Sequence, residues 1–435
     1  MKRVNDVVVV GGGISGLCTA YELQKLGYEV ELVEKDRVGG SVKTVKDPKG
    51  FLYELGPQTI LSDEELLNYL KQLGLKPIEA SPAAKNRFVY KKGRFIPLPS
   101  SPVKFLTSPL LSWRGKLEVF KDLFQRPVVE EISVAQFVRR HFGEEFLNYV
   151  VAPFLSGVYA GDPERLSLVH ATPKLYRLQR KYGSLIKAFL KERRVAPKGK
   201  LISFSGGLKE LVEAFKSRLK VKEGKGALRI RKFKDRFAVE LMGERVEGRA
   251  VVLACPAYAA AGLLRELVPE AVKELEKVYY PPLAVAALSV EGELPEGFGV
   301  LFPAVEGRRI LGVMFSSKLF PGRAPEGREL LTVFLGGATN PFVDRLTNEQ
   351  IAAVAAEEVE ELFGVKNLEV LKVHLWRRSI PQYNLGYGSV LETVSEVEKR
   401  VPGLFFTGNW IGGVSTADAL RRGPEVARKV ADFLG

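Results

Sequence analysis

Four consecutive valines, Val7 to Val10, run directly into Gly11-Gly12-Gly13, and Gly16 follows at the start of a helix-periodic stretch. A β-branched run of this kind reads as a buried parallel strand. Residues Gly16 to Leu26 carry helical apolar spacing, Gly27 suits the helix end, and Tyr28 to Val33 reads as a second strand. The unit is strand, glycine turn, helix, strand. The G-x-G-x-x-G spacing at Gly11, Gly13 and Gly16 supplies a tight turn, close approach of backbone to a pyrophosphate, and close helix–strand packing. The helix N-terminus adds N–H donors and a positive dipole end for phosphates. Glu34 ends the second strand, placed to accept hydrogen bonds from an adenosine ribose. A glycine-rich turn alone is unspecific; followed by Glu34 in this order, it predicts a dinucleotide site.

Two further elements bear on which dinucleotide. Gly39-Gly40-Ser41 lies five residues past Glu34, and Glu54-Leu55-Gly56-Pro57 follows. A second glycine pair beyond the ribose acid suits a long ligand that continues across the domain. Near the other end, Thr407-Gly408-Asn409-Trp410 leads to Gly412-Gly413-Val414, which opens a helix. Its N–H groups suit a ribityl chain and a flavin pyrimidine edge. Each pair alone would serve as a capping turn; together they favour FAD over NAD.

The rest of the chain bounds the alternatives. Its 435 residues suggest roughly two or three domains. Hydrophobic residues at 46% and charged residues at 27% exclude disorder. Two cysteines, Cys18 and Cys255, exclude a disulfide framework, and His141, His170 and His374 show no paired ligand spacing, so no metal site is expected. The net charge of 65 − 51 = +14 is basic, yet no nucleic-acid module accompanies it. The first ten residues lack a signal pattern. The most apolar segment, Ala250 to Leu264, contains Pro256 and is shorter than the ~20 residues that span a bilayer. A cytoplasmic protein is expected.

Helical patterns fill Lys116–Phe124, Val134–Phe142, Phe146–Val151 and Leu175–Leu190. Strands are expected at Leu228–Ile230, Phe237–Met242, Ala250–Cys255 and Leu404–Phe406, a mostly antiparallel sheet across Pro281–Leu335, and helices at Ile351–Phe363 and Ser415–Phe433. The expected fold is α/β. A discontinuous doubly wound FAD-binding domain (1–85, 200–258, 398–435) is joined by a mainly helical insertion (86–199) and a mixed-sheet substrate domain (259–397).

These motifs, with Asn86-Arg87-Phe88-Val89-Tyr90, Gly157-Val158-Tyr159-Ala160-Gly161-Asp162 followed by Leu166-Ser167, Gly297-Phe298-Gly299, Leu301, Pro303 and Leu331 to Gly337, resemble the flavin amine oxidase superfamily. Within it, nearly the whole chain looks like the protoporphyrinogen oxidase family, and the middle motifs are the particular ones. The resemblance implies non-covalent FAD. Its contacts would fall on Gly11, Gly12, Gly13, Ile14, Ser15, Gly16, Glu34, Lys35, Gly40, Ser41, Gly56, Pro57, Gln58 and Thr59, on Ile230 toward the adenine, and on Asn409, Val414, Ser415 and Thr416 toward the flavin. Ser41 departs from the mammalian branch, which has an aromatic there, so no stacking from it is expected. The implied reaction is oxidation of protoporphyrinogen IX to the porphyrin in three two-electron steps, with oxygen or another acceptor taking the electrons. The chemistry is the flavin's, and no catalytic side chain is expected. Arg87 would anchor a propionate, and Phe298, Leu301 and Phe334 would sandwich the macrocycle.

Coproporphyrinogen III oxidation, an amine or carotenoid oxidoreductase, and a non-enzymatic flavin-bearing binding protein are the alternatives. Between Ser100 and Arg126, Phe105, Leu106, Leu110, Leu111, Trp113, Leu117, Phe120 and Phe124 are interleaved with Lys104, Arg114, Lys116 and Lys121. The segment either caps the substrate cavity or lies on an anionic membrane surface; weak peripheral binding at the cytoplasmic face is expected.

Overall fold

The structure, a computed structural model, describes residues 4–192 and 199–435. Strand β1 spans Asn5–Val10, helix α1 Ile14–Lys25 and strand β2 Val30–Val33, as the valine run and helical spacing predict. β1 lies parallel between β2 and the strand Glu244–Leu253, and Leu404–Phe406 pairs with the latter, also parallel. Val221–Lys222 extends the sheet beyond β2, and Phe237–Leu241 and Ala227–Lys232 extend it antiparallel on the other side.

The valine run is continuous because both faces of the sheet are covered. Val7 and Val9 enter one core with α1, the helix Lys209–Lys216 and the C-terminal helix Thr416–Leu434. Val8 and Val10 enter another with the helices Ala257–Leu264, Pro269–Leu275 and Tyr387–Arg400. This is a doubly wound layer. α1 and the C-terminal helix approach closely at Gly423, where a Cβ would stand 2.3 Å from Cys18 Sγ. Cys18 is fully buried, and burial pushes its thiol up to about 12.

A second seven-stranded sheet runs in the order Lys366–Trp376, Leu283–Glu291, Glu329–Gly336, Ile310–Phe315, Gly299–Leu301, Arg87–Lys91, Arg94–Pro97. It is antiparallel except where Gly299–Leu301 meets Arg87–Lys91 in parallel. Here the structure corrects the sequence reading, which places residue 86 at the start of a helical insertion. Arg87–Lys91 and Arg94–Pro97 form a hairpin at the sheet edge. The alternation of Phe88 and Tyr90 with Val89 carries a strand signal that the prolines following it obscure. One face of this sheet, including Val300, Val313 and Val333, packs on the helix Asn348–Phe363. The other face is left for the site.

The helical segment follows the hairpin. The long helix expected over Leu175–Leu190 is two, Pro173–Tyr182 and Leu185–Lys191, broken at Gly183 with φ +71°. A fully buried Asp122 ties this region together. It accepts hydrogen bonds from His141 Nδ1 (2.6 Å), Ser184 Oγ (2.6 Å) and the Ile186 N–H (2.8 Å). Burial alone would raise its carboxyl, but these bonds outweigh it and hold the group below the ordinary range. Among the described residues no helix is long and apolar enough to cross a membrane.

Candidate functional site

The parallel strands end in register. Val10 pairs with Val33 and with Leu253, and Leu253 with Phe406. Everything leaving this row emerges at one edge of the sheet: the glycine loop after Val10, Glu34 after Val33, Cys255 shortly after Leu253, and Thr407 to Asn409 after Phe406. Ligands of such sheets bind outside the carboxyl ends of the strands. Register alone thus brings the N-terminal and C-terminal cofactor motifs together.

Within the loop the glycines do different work. A Cβ on Gly11 would lie 2.8 Å from the Ala254 carbonyl oxygen, on Gly12 2.7 Å from Val38 Cγ1, and on Gly16 1.9 Å from the Gly11 carbonyl oxygen. Those three are fixed by the protein's own packing. Gly13 differs: its Cβ position has nothing within 4 Å. Gly13 also caps α1 without a side-chain acceptor. The first N–H groups of α1, from Ile14, Ser15 and Gly16, therefore stand ready for an anion beside an open glycine face. Thr407, at the same edge, is fully buried with a hydroxyl that has no hydrogen-bond partner among the described residues. An open face, an uncapped helix start and an orphaned hydroxyl fit a pyrophosphate-bearing cofactor.

The Glu34 carboxylate accepts from the N–H of Gly12 (2.6 Å) and of Asp36 (3.0 Å), which fixes it against the loop. Gly39 donates to the Gly12 carbonyl (2.8 Å), and a Cβ on Gly40 would meet Gly13 Cα at 3.1 Å. Gly56 packs on the Ser41 carbonyl, with only 1.8 Å available for a Cβ. Gly13, Gly40, Ser41 and Gly56 thus form one continuous backbone surface, with Pro57, Gln58 and Thr59 half-buried beyond it. Ser41 itself is exposed.

Lys35 lies at the end of β2 against Gly226, whose Cβ would stand 3.1 Å from Lys35 Cβ. Ile230 is not brought to this edge. Its side chain is 1% exposed, paired with Val239 and packed in the core. The segment beside Glu34 and Lys35 is Gly224 to Gly226, held by hydrogen bonds from the Gly224 N–H to the Asp36 carbonyl and from the Lys225 N–H to the Glu34 carbonyl (2.9 Å each).

The C-terminal loop is held by two tyrosines that the sequence reading did not single out. Tyr383 Oη donates to the Asn409 carbonyl (2.8 Å) and accepts from the Gly413 N–H (3.0 Å); Tyr387 Oη donates to the Trp410 carbonyl (2.8 Å). Burial raises both phenols above their ordinary range. Trp410 Nε1 donates to the Cys255 carbonyl (3.0 Å). Val414 leads into the C-terminal helix, whose start is a capping box: Ser415 accepts from the Asp418 N–H (3.1 Å) while Asp418 accepts from the Ser415 N–H (3.1 Å). The helix begins at Thr416.

On the free face of the second sheet, register sets the residues in rows. Phe334 pairs with Gly312 and Gly312 with Leu301; Thr332 pairs with Met314, Met314 with Gly299, and Gly299 with Arg87. Paired residues point to one side of a sheet. Gly312 stands between Phe334 and Leu301 in this row, and Leu301 Cδ2 comes within 3.5 Å of the place a Cβ on Gly312 would take. Gly299, at φ +152°, breaks the strand alternation, and Phe298 packs with Met314, Leu319, Phe320 and Phe334. Arg87 lies over Phe298, its guanidinium carbon 4.9 Å from the ring centroid. No carboxylate among the described residues pairs with Arg87, and desolvation weakens its hold on its proton. Gly157, from the helix Ala152–Tyr159, covers Leu301; a Cβ there would be 3.0 Å from Leu301 Cδ2.

The two halves meet along a narrow cleft lined by Glu54, Gln58, Met314, Phe320 and Arg323, among others. Gln58 Nε2 donates to the carbonyls of Glu54 and Gly56 (3.0 Å each), which closes the 54–58 turn on itself beside this wall. Phe298 and Phe334 belong to the same apolar cluster as Met314 and Phe320, which line this cleft, and Arg87 lies over Phe298.

The family profile described as flavin containing amine oxidoreductase matches residues 14–431. The chain is 35% identical to protoporphyrinogen oxidase 1, chloroplastic, of Arabidopsis thaliana, over 99% of this chain and 88% of that protein. It is 28% identical to coproporphyrinogen III oxidase of Bacillus subtilis (strain 168), covering 98% of each. A solved structure of a candidate protoporphyrinogen oxidase from Exiguobacterium sp. 255-15 superposes with a TM-score of 0.84, at 22% identity, over 98% of this chain and 99% of that one. At that identity the likeness speaks to the fold.

Proposed function

The chain belongs to the flavin containing amine oxidoreductase family and is an FAD-dependent oxidoreductase, and from that premise we propose that it oxidises protoporphyrinogen IX to protoporphyrin IX in haem biosynthesis. The observation that carries the reading is Arg87. It is a half-buried cation with no carboxylate partner among the described residues, laid over Phe298 at the border of an apolar wall. An unpaired guanidinium at an apolar wall suits a ligand that is itself apolar and carboxylate-bearing. The 35% identity to a protoporphyrinogen oxidase supports the same substrate class.

FAD would be held by the α1 start, Glu34, Lys35, the Gly40–Ser41 and Gly56–Thr59 segments, and the loop from Asn409 to Thr416. When bound, it supplies the two-electron acceptor for hydride in each of three dehydrogenations. The chain's own residues bind and orient. Arg87 holds a propionate by paired hydrogen bonds, and Phe298, Leu301 and Phe334 hold the macrocycle and exclude water. Attachment is non-covalent, since the loops of the cofactor edge carry neither His nor a reactive Cys. Cys255, nearby, has its thiol pushed up to about 12 by burial. Oxygen or another acceptor then takes the electrons.

The helical insertion adds a surface. Trp113, Leu117, Phe120 and Phe124, spaced at helical intervals, are all exposed. With Arg114 and Lys121 beside them they suit an anionic membrane surface at the cytoplasmic face. Flotation with anionic vesicles at low salt tests this; absence of association overturns it.

Anaerobic reduction of the bound flavin by protoporphyrinogen IX and coproporphyrinogen III, side by side, tests the main reading. Faster reduction by protoporphyrinogen IX is expected. Preference for coproporphyrinogen III would assign the chain the reaction of its Bacillus subtilis relative, and reduction by an amine but neither porphyrinogen would overturn the proposal.

A further inference from the structure

A cavity of about 310 Å³ lies in the helical insertion, away from the site described above. Leu98, Phe105, Leu110, Phe146 and Val150 line it, with Ser108 contributing a polar group. None of Arg87, Phe298, Leu301, Phe334 or Gln58 reaches it. Its volume is about ten times the ~30 Å³ share of one liquid water. Its roof is the helix Pro102–Thr107, which buries none of its own residues. The roof is therefore lightly anchored, and the space below it fits roughly ten methylene-sized units.

The second observation is a charge. Lys116 is only 6% exposed, yet no carboxylate among the described residues pairs with it. Its ammonium donates to the carbonyl of Leu106 (2.7 Å), the residue after Phe105 in the roof, and lies 4.5 Å from the Trp113 ring centroid. An ammonium has three N–H donors. The nearby carboxylates are otherwise engaged: Glu145 by Lys91 and by Ser112, and Glu118 by Lys121. A buried ammonium without an anion is costly. Lys116 does not itself line the cavity; it meets it through the roof helix, at Leu106 beside the lining residue Phe105.

We propose that the insertion binds a single-chain anionic amphiphile, its alkyl chain in the cavity and its carboxylate or phosphate head on Lys116. The site shares only Trp113 with the membrane stripe, its ring lying against the Lys116 ammonium, and none of the stripe's residues lines the cavity. The head group can come from a free fatty acid or from a bilayer lipid; the chemistry is the same.

The test uses the FAD-loaded protein, with flavin content and thermal midpoint as folding controls. Binding is read by displacement of 11-(dansylamino)undecanoate by dodecanoate and by uncharged dodecanol. One saturable dodecanoate site per chain is expected. Lys116→Met should weaken dodecanoate at least tenfold and leave dodecanol within about twofold. Leu110→Trp, which fills the cavity, should abolish both, and Ser108→Phe serves where Leu110→Trp loses its flavin. No saturable dodecanoate binding overturns the proposal, as does equal loss of acid and alcohol in Lys116→Met. Displacement by phosphatidylglycerol vesicles would assign the site to a bilayer lipid; dodecanoate binding without such displacement would assign it to a free acid. Phe124→Ser should weaken vesicle binding and spare dodecanoate, so failure of the membrane reading and failure of this one are told apart.

Discussion

Arg87 separates function from stability, and the separation can be measured. The guanidinium is half-buried, has no ion pair among the described residues and lies over Phe298. A hydrogen bond to a charged group contributes about 1.5–3 kcal/mol. At 1.36 kcal/mol per factor of ten, loss of a propionate contact weakens binding about 10- to 150-fold. The contact forms with substrate and transition state alike, so the limiting rate should hold. Arg87→Met retains an apolar stem against Phe298 and removes the charge. The fold loses a cation–π contact of about 0.5–1 kcal/mol but is relieved of a desolvated cation, so the thermal midpoint should change little. Arg87→Lys keeps the charge without the planar fork and should fall between. The assay is anaerobic stopped-flow reduction of the flavin against substrate concentration, which gives dissociation constant and limiting rate separately. A Met variant with wild-type substrate affinity would refute the anchor. A lower limiting rate at unchanged affinity would instead place Arg87 in orienting the ring.

Gly13→Val should purify folded but without flavin, because the added side chain occupies open space on the ligand side; unchanged flavin absorbance in the folded variant overturns this. Tyr383→Phe leaves the Asn409 carbonyl and Gly413 N–H without their partner. At about 1–3 kcal/mol for a buried group left unpaired, FAD affinity of the apoprotein should fall about 5- to 150-fold, read by flavin fluorescence titration; wild-type affinity would leave the loop held by other contacts. The Asp122 carboxyl is held below the ordinary aspartate value. Its contribution is therefore full above the unfolded pKa of about 3.9 and lost as pH falls through the folded value. Calorimetry should show wild type losing its stability advantage over Asp122→Asn only below about pH 4, and a constant difference down to pH 2.5 would contradict the assignment.

Local chemistry made the cofactor half legible. Val7 to Val10, Gly11 to Gly16 and Glu34 act within one strand–turn–helix unit, where spacing alone dictates geometry, and the structure assembles them at one sheet edge. Ile230 shows the limit. A strand residue reads the same whether it borders a ligand or a core, and only the tertiary placement of Gly224 to Gly226 beside Glu34 identifies the segment at that edge. The strand Lys366–Trp376 went unread because it is an edge strand with little buried surface, so hydrophobic alternation is weak. Tyr383 and Tyr387 are buried like core aromatics; their role comes from hydroxyls that meet backbone groups some 25 residues away. The row of Phe334, Gly312 and Leu301 depends on a cross-strand register that joins segments distant in sequence.

That register has meaning for the site only if the two sheets keep one position relative to each other, and buried polar contacts fix that position. Trp376, from the second sheet, donates through Nε1 to the Leu55 carbonyl (2.7 Å), one residue before Gly56. Arg323 is 4% exposed; its Nη2 donates to Ser203 Oγ (2.6 Å), and its carbonyl accepts from the Leu52 N–H (3.0 Å). Glu54 accepts from Thr44 Oγ1 (2.6 Å) and the Leu208 N–H (2.7 Å), although burial raises its carboxyl. All three act on residues 52 to 55, directly before the Gly56–Thr59 cofactor segment. Apolar packing between two sheets tolerates small slides, whereas hydrogen bonds of this length and direction do not. The wall bearing Arg87, Phe298, Leu301 and Phe334 is thereby indexed to the cofactor edge. An enzyme whose protein supplies orientation rather than a reacting side chain depends on that alignment.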